Sequence, residues 1–149
     1  MRDFQVVEIF CSPQGEGAHM GQQSVFVRFS GCNLGGGVGN RHLSDVCQFC
    51  DTEFSESETL SFEDIVAGIA SESGCRKEEM TFPIILTGGE PLLQVDEEFV
   101  RALHEEYPDT SIHVETNGTV RPELQGVLLA NPEWFWVAVS PKLGSEVVW

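Results

Sequence analysis

Four short apolar segments rich in β-branched and aromatic residues punctuate this sequence, and each runs straight into a turn of glycine and reactive side chains. Residues 24–29 lead to Gly31-Cys32-Asn33, and residues 83–86 lead to Thr87-Gly88-Gly89-Glu90. Residues 112–114 lead to Glu115-Thr116-Asn117-Gly118, and residues 134–139 lead to Ser140-Pro141-Lys142. Runs of this composition predict strands. Helical patterns lie between them. Ser61 reads as an N-cap with Asp64 three residues on, ahead of Phe62, Ile65, Val66 and Ile69 at helical spacing. From Asp96, an acidic first turn (Glu97, Glu98) and the series Phe99, Val100, Leu103, Tyr107 predict a second helix that Pro108 ends. Residues 122–129 predict a third, shorter helix with Pro122 in its first turn. Alternation of strand and helix implies an α/β fold of parallel strands joined by crossover helices. In such sheets the C-terminal edge carries the site, so the four reactive clusters converge on one rim.

A length of 149 residues fits one domain, residues 1–149. No stretch approaches the ~18–20 apolar residues of a membrane-spanning helix. The start, Met1-Arg2-Asp3-Phe4, lacks the charged and apolar regions of a secretion signal, so a soluble cytoplasmic protein is expected. Twenty-four acidic residues against eight basic ones give a formal net charge of −16. That charge repels a phosphate backbone and excludes nucleic acid as a main partner. With Lys77 and Lys142 the only lysines, the acidic surface suits a salty cytoplasm that screens it.

The stretch 31–57 is too long for an ordinary connection and is expected to be functional. It holds Cys32, Cys47 and Cys50 in the pattern C-x14-C-x2-C. Close cysteines in an intracellular protein point to metal or redox chemistry rather than to disulfides. Three thiolates suit a [4Fe–4S] cluster with one open iron, or a zinc site completed by His42 or His19. Spacing leaves both open. Cys11 and Cys75 have no such neighbours and read as small apolar residues. The Gly88-Gly89-Glu90 turn brings backbone close to a ligand and offers a carboxylate to an ammonium. Beside a three-cysteine loop it reads as an S-adenosylmethionine pocket, with Glu90 accepting from the amine and Lys142 or Ser140 facing the carboxylate. His19, His42, His104 and His113 read as structural or surface residues, and Trp134, Phe135 and Trp136 as core or interface packing.

With these motifs in place, the sequence resembles the radical S-adenosylmethionine enzymes, and within them the 7-carboxy-7-deazaguanine synthase family. The match rests on Glu8-Ile9-Phe10 with Gln14-Gly15-Glu16-Gly17, on residues 25–33, on Cys47-Gln48-Phe49-Cys50-Asp51-Thr52, on residues 87–94, and on Glu115 to Gly118 with Ser140-Pro141-Lys142. A fourteen-residue first gap, where most radical enzymes have three, is similar to one branch of this family. The resemblance implies a lyase with a partial (βα) barrel. Its reaction contracts the ring of 6-carboxy-5,6,7,8-tetrahydropterin to 7-carboxy-7-deazaguanine, with loss of ammonia, for queuosine or deazapurine synthesis. The cofactors implied are a [4Fe–4S] cluster, S-adenosylmethionine and Mg²⁺. A homodimer and an electron donor such as flavodoxin or ferredoxin are implied as well.

Carried over by residue, Cys32, Cys47 and Cys50 are the cluster ligands and Thr52 the Mg²⁺ ligand. Phe49, Cys50 and Asp51 fall beside the adenosyl group, and Gly89, Glu90, Ser140, Pro141 and Lys142 at the methionyl end. Pro13, Gln14, Gly15 and Glu16, with Arg28 and Thr87, form the pterin site. There amides and carboxylates read the ring edge, and Arg28 forks onto the substrate carboxylate. Glu115 fits either a pterin contact or a cap on backbone donors. Pro13 departs from the family's usual leucine. The sequence stops seven residues after Lys142, so the expected fold is a partial barrel cut after about four parallel strands. That leaves an uncovered edge on the last one. Two alternatives belong to other classes: a non-catalytic zinc- or cluster-binding fragment, and an activase that makes a glycyl radical on a partner protein.

Overall fold

A computed structural model describes residues 2–35, 46, 47, 50, 56–130 and 132–148. Six strands form one sheet: β1 (Phe4–Pro13), β2 (Gln23–Phe29), β3 (Glu58–Leu60), β4 (Ile84–Gly88), β5 (Ile112–Thr116) and β6 (Phe135–Val139). Their order is β3-β1-β2-β4-β5-β6. The four strands β2, β4, β5 and β6 run parallel, as the alternation predicts. β1 is antiparallel to both β2 and β3, which extends the sheet on the other side. The helices are α1 (Phe62–Ser73), α2 (Glu97–Glu106) and α3 (Gln125–Ala130). The sheet does not close, so the fold is a partial barrel. No helix among the described residues is long and apolar enough to cross a membrane.

The alternating side chains of the parallel strands sort onto two faces. Val25, Val27 and Phe29, Ile84 and Leu86, and Ile112 and Val114 pack into the core with the apolar faces of α1 and α2 and with Val127 of α3. Phe99 is the centre of that core, edge-to-face with Phe4, Phe29 and Phe62. Tyr107, fully buried past the end of α2, donates its hydroxyl hydrogen to the Val66 carbonyl of α1 at 2.8 Å. The helices thus cover one face. The other face carries two transverse rows: Phe10, Phe26, Ile85, His113 and Trp136, then Glu8, Arg28, Thr87, Glu115 and Ala138.

Several elements differ from the sequence reading. β1 and β3 were not expected, because Phe4–Pro13 mixes exposed and buried residues without clean alternation and Glu58–Leu60 is only three residues. β4 and β5 continue through Thr87-Gly88 and Glu115-Thr116, which the sequence placed in turns. Ladder partners on the neighbouring strands hold them there: Arg28 and Phe29 for β4, Ala138 and Val139 for β5. α3 begins at Gln125 rather than at Pro122. Its start is set from outside: the Glu97 carboxylate of α2 accepts from the Gly126 amide at 2.7 Å and the Val127 amide at 3.3 Å.

Candidate functional site

All four expected clusters sit at the C-terminal edge of the parallel strands, and hydrogen bonds join them. The turn after β4 lies directly on the turn after β2. Gly89 N–H donates to the Phe29 carbonyl at 3.1 Å and Glu90 N–H to that of Gly31 at 2.8 Å. A Cβ on Gly89 would overlap the Gly31 carbonyl oxygen and crowd the Cys32 side chain. Only glycine permits this approach.

Glu90 is fully buried and divides its carboxylate among protein donors. Oε1 accepts from Leu92 N–H at 3.1 Å and Thr116 Oγ1 at 2.8 Å, and Oε2 accepts from Asn117 N–H at 2.8 Å. It is the strut between the β4 and β5 turns. Asn117 reaches on to the cysteine segment, donating from Nδ2 to Asn33 Oδ1 at 3.1 Å and, more distantly, toward Cys32 Sγ at 3.9 Å. Ser140 N–H donates to the Thr116 carbonyl, and Lys142 Nζ to Ser140 Oγ at 2.9 Å, which ties the turn after β6 into the same rim.

Cys32 Sγ also accepts from Leu34 N–H at 3.4 Å. Burial is the largest influence on this thiol and pushes its pKa up. The amides of Leu34 and Gly35 oppose the rise, while the nearby charges of Glu90 and Cys47 add to it. Cys32, Cys47 and Cys50 are all half-buried and none is in a disulfide. Among the described residues no three His, Cys, Asp or Glu side chains are gathered closely enough to hold an ion. The donor type nevertheless fits a soft metal, thiols being soft ligands, and the Leu34 and Asn117 N–H groups are directed at Cys32 Sγ. Phe49, Asp51, Thr52 and His42 lie outside the described residues. The His19 ring packs at 4.5 Å from that of His113 and 4.8 Å from the Trp136 ring.

The expected pterin residues fall on the sheet face away from the helices. Glu115 is their hub, accepting from Gln14 Nε2 and from Thr87 Oγ1, both at 2.8 Å. It caps no backbone donor in the described contacts. Gln14 is buried and its Oε1 accepts from Glu16 N–H at 3.2 Å. Arg28 gives Nε to Glu8 Oε1 at 2.7 Å and places its guanidinium 5.4 Å from the Phe10 ring centre. Pro13 pairs with Gln23 at the end of β1, and Gly15 follows it beside Gln14. Next to this group a cavity of about 460 Å³ opens between the 3-10 turn Gly17–His19 and the strands β5 and β6. Gln14, Glu16, His19, His113, Glu115 and Trp136 are among its walls.

Sequence reasoning missed four of these residues. Glu8 is the partner of Arg28, and His19, His113 and Trp136 line the cavity. For β5 and β6 the signal was parity. His113 and Trp136 stand two residues before Glu115 and Ala138, hence on the same face. Burial is the main cause, with the charge of His19 second, that pushes the His113 pKa down to about 4.

An open α/β sheet with helices on one face and linked reactive turns along its C-terminal edge defines a partial-barrel protein with a ligand site at that rim. No family model matches the chain. It is 42% identical over 152 residues to 7-carboxy-7-deazaguanine synthase of Bradyrhizobium diazoefficiens, with 97% of this chain and 66% of the relative covered. The synthase of Burkholderia multivorans is 39% identical over 150 residues with the same coverage, and that of Caulobacter vibrioides 38% over 152. The crystal structure of QueE from Escherichia coli superposes with a TM-score of 0.72 at 25% identity, covering 98% of this chain and 65% of that one. The chain belongs to the 7-carboxy-7-deazaguanine synthase family. It spans 66% of the length of the curated relatives just described.

Proposed function

We propose that this chain carries the lyase chemistry of its family: ring contraction of 6-carboxy-5,6,7,8-tetrahydropterin to 7-carboxy-7-deazaguanine with loss of ammonia, in the cytoplasm. The observation that carries the reading is the Gln14–Glu115–Thr87 constellation. It is a preformed set of amide, carboxylate and hydroxyl beside Arg28, bordering a cavity of ligand size. Amide and carboxylate side chains match the alternating donors and acceptors of a pterin edge. With its Nε held by Glu8, Arg28 keeps its terminal amino groups as the fork for the substrate carboxylate.

Cys32, Cys47 and Cys50 are the cluster ligands in this reading, Phe49, Cys50 and Asp51 lie near the adenosyl group, and Thr52 holds Mg²⁺. Bound together, the cluster and S-adenosylmethionine supply one-electron cleavage of a sulfonium bond and, from it, hydrogen abstraction. The protein's own part is placement. Gly89 presents backbone, Lys142 and Ser140 present donors for the methionyl carboxylate, and Pro141 sets the turn between them. Glu90 is held by Leu92, Thr116 and Asn117, and its carboxylate keeps acceptor capacity for the methionyl amine. The electron comes from a flavodoxin- or ferredoxin-type donor, and the working unit is a homodimer.

Product analysis tests this. Anaerobically reconstituted, reduced protein is incubated with S-adenosylmethionine, Mg²⁺ and the pterin. The expected products are 5′-deoxyadenosine and 7-carboxy-7-deazaguanine. Colourless protein carrying stoichiometric zinc would instead establish the non-catalytic fragment.

A further inference from the structure

The aromatic side of the cavity has no role in the reading above. Trp136 is 48% exposed although it stands on the sheet face that bears the site, and it forms a cavity wall. His19 meets its ring edge-on, with an interplanar angle of 80°, and the His113 ring lies beside both, 4.5 Å from that of His19 and 6.2 Å from that of Trp136. The Nε2 of His19 is buried without a hydrogen-bond partner, although His19 is itself a wall of the cavity. A buried, unpartnered ring nitrogen is costly unless a ligand or water supplies its partner. Gln14, Glu16 and Glu115 line the same cavity, with Glu115 one row along the sheet from His113 and Trp136. The cavity thus joins a flat apolar surface to polar donors and acceptors at its border. That pairing recognises a planar heterocycle by its face and its edge at once.

We propose that Trp136 is the stacking platform of the cavity, with His19 Nε2 as an added polar contact, and that this pair selects a flat, fused-ring heterocycle. The inference rests on the pterin reading and adds two residues to it. Burial keeps His113 neutral near pH 7, so the ring beside the platform brings no charge to it. Trp136 lies one row below Thr87 and Glu115 along the strands, so a ring on the indole presents its edge to Glu115.

The test uses the cluster-free chain and an oxidised, fully aromatic probe, 6-carboxypterin, followed by calorimetry and tryptophan fluorescence. The wild-type protein is expected to bind it with quenching of indole emission. Trp136→Ala weakens binding about tenfold or more, as loss of an aromatic stack does. Trp136→Phe keeps most of the affinity but loses most of the quenching, which secures the test should the alanine variant fold poorly. His19→Ala weakens binding, and His19→Gln, which keeps a polar group, restores part of it.

If Trp136→Ala and Trp136→Phe both bind as wild type while Thr87→Val binds weakly, the platform is overturned and the pterin reading stands. If the wild-type chain binds no 6-carboxypterin, both fall. Concentration-dependent shielding of Trp136 from acrylamide in ligand-free protein would show that a second copy covers the indole, and would also overturn the platform.

Discussion

At the scale of single residues, Glu90 ties more of the rim together than any motif reading suggests. A carboxylate only accepts, and three protein donors surround it. Glu90→Gln replaces one accepting oxygen with an amide that faces an N–H or O–H. The expected loss is about 1–3 kcal/mol of stability by urea denaturation, with the shape of the side chain preserved. His113 gives a pH signature. Its folded pKa of about 4 lies below the ordinary value of 6.5, so the unfolded chain binds the extra proton first as pH falls. Stability is therefore unaffected by this group above pH 6.5. It declines between pH 6.5 and 4, by on the order of 3 kcal/mol in all. His113→Phe should flatten that part of the stability–pH curve, and an unchanged slope would assign it to other groups.

At the scale of elements, the start signals differ in where they come from. α1 is capped from within its own sequence: Ser61 Oγ accepts from Asp64 N–H at 3.1 Å, and the Asp64 carboxylate accepts in return from Ser61 N–H at 3.0 Å. The Ser61 hydroxyl, donating to Asp64 Oδ2 at 2.7 Å, and then the Ser61 N–H lower the Asp64 pKa. Ser61→Ala should cost about 1 kcal/mol, read as a shift in the denaturation midpoint at constant m. α2 follows the same rule, with Asp96 Oδ1 accepting from Phe99 N–H at 2.9 Å. Local capping of this kind is visible in the sequence, and both helices start where the motif places them. α3 is capped by Glu97 from another helix, and for that reason its start was misplaced.

At the scale of the whole molecule, a charge of −16 on 149 residues produces self-repulsion that salt screens. Four ion pairs involve described residues: Arg28 with Glu8, Arg76 with Glu79, Lys77 with Glu106 and Arg101 with Glu97. They engage four acidic groups and leave most of the others uncompensated. The melting temperature should rise as sodium chloride goes from low to molar concentration. A flat or falling Tm would remove the case for a chain suited to a salty cell. The outer edge of β6 is the other whole-molecule feature, with Leu143 beyond it 98% exposed.

The sequence by itself determined the class of fold, the four parallel strands and the convergence of their turns on one edge. Those follow from hydrophobic period, local caps and chain direction, which neighbouring residues encode. The face of Arg28 was also legible, since strand parity puts it with Phe26, whereas Thr87, expected in a turn, lies beside it as a ladder partner in β4. Only the tertiary structure decided which of those polar groups spend their hydrogen bonds on one another. Glu90 and Glu115 both looked available as ligands. One braces two turns, and the other joins Gln14 to Thr87 across the chain. It also decided that His19, seventeen residues from Arg2, rests on Trp136 from the far end of the sheet. Hydrogen bonds and ring contacts between residues a hundred positions apart depend on register and burial. Those exist only once the strands have paired.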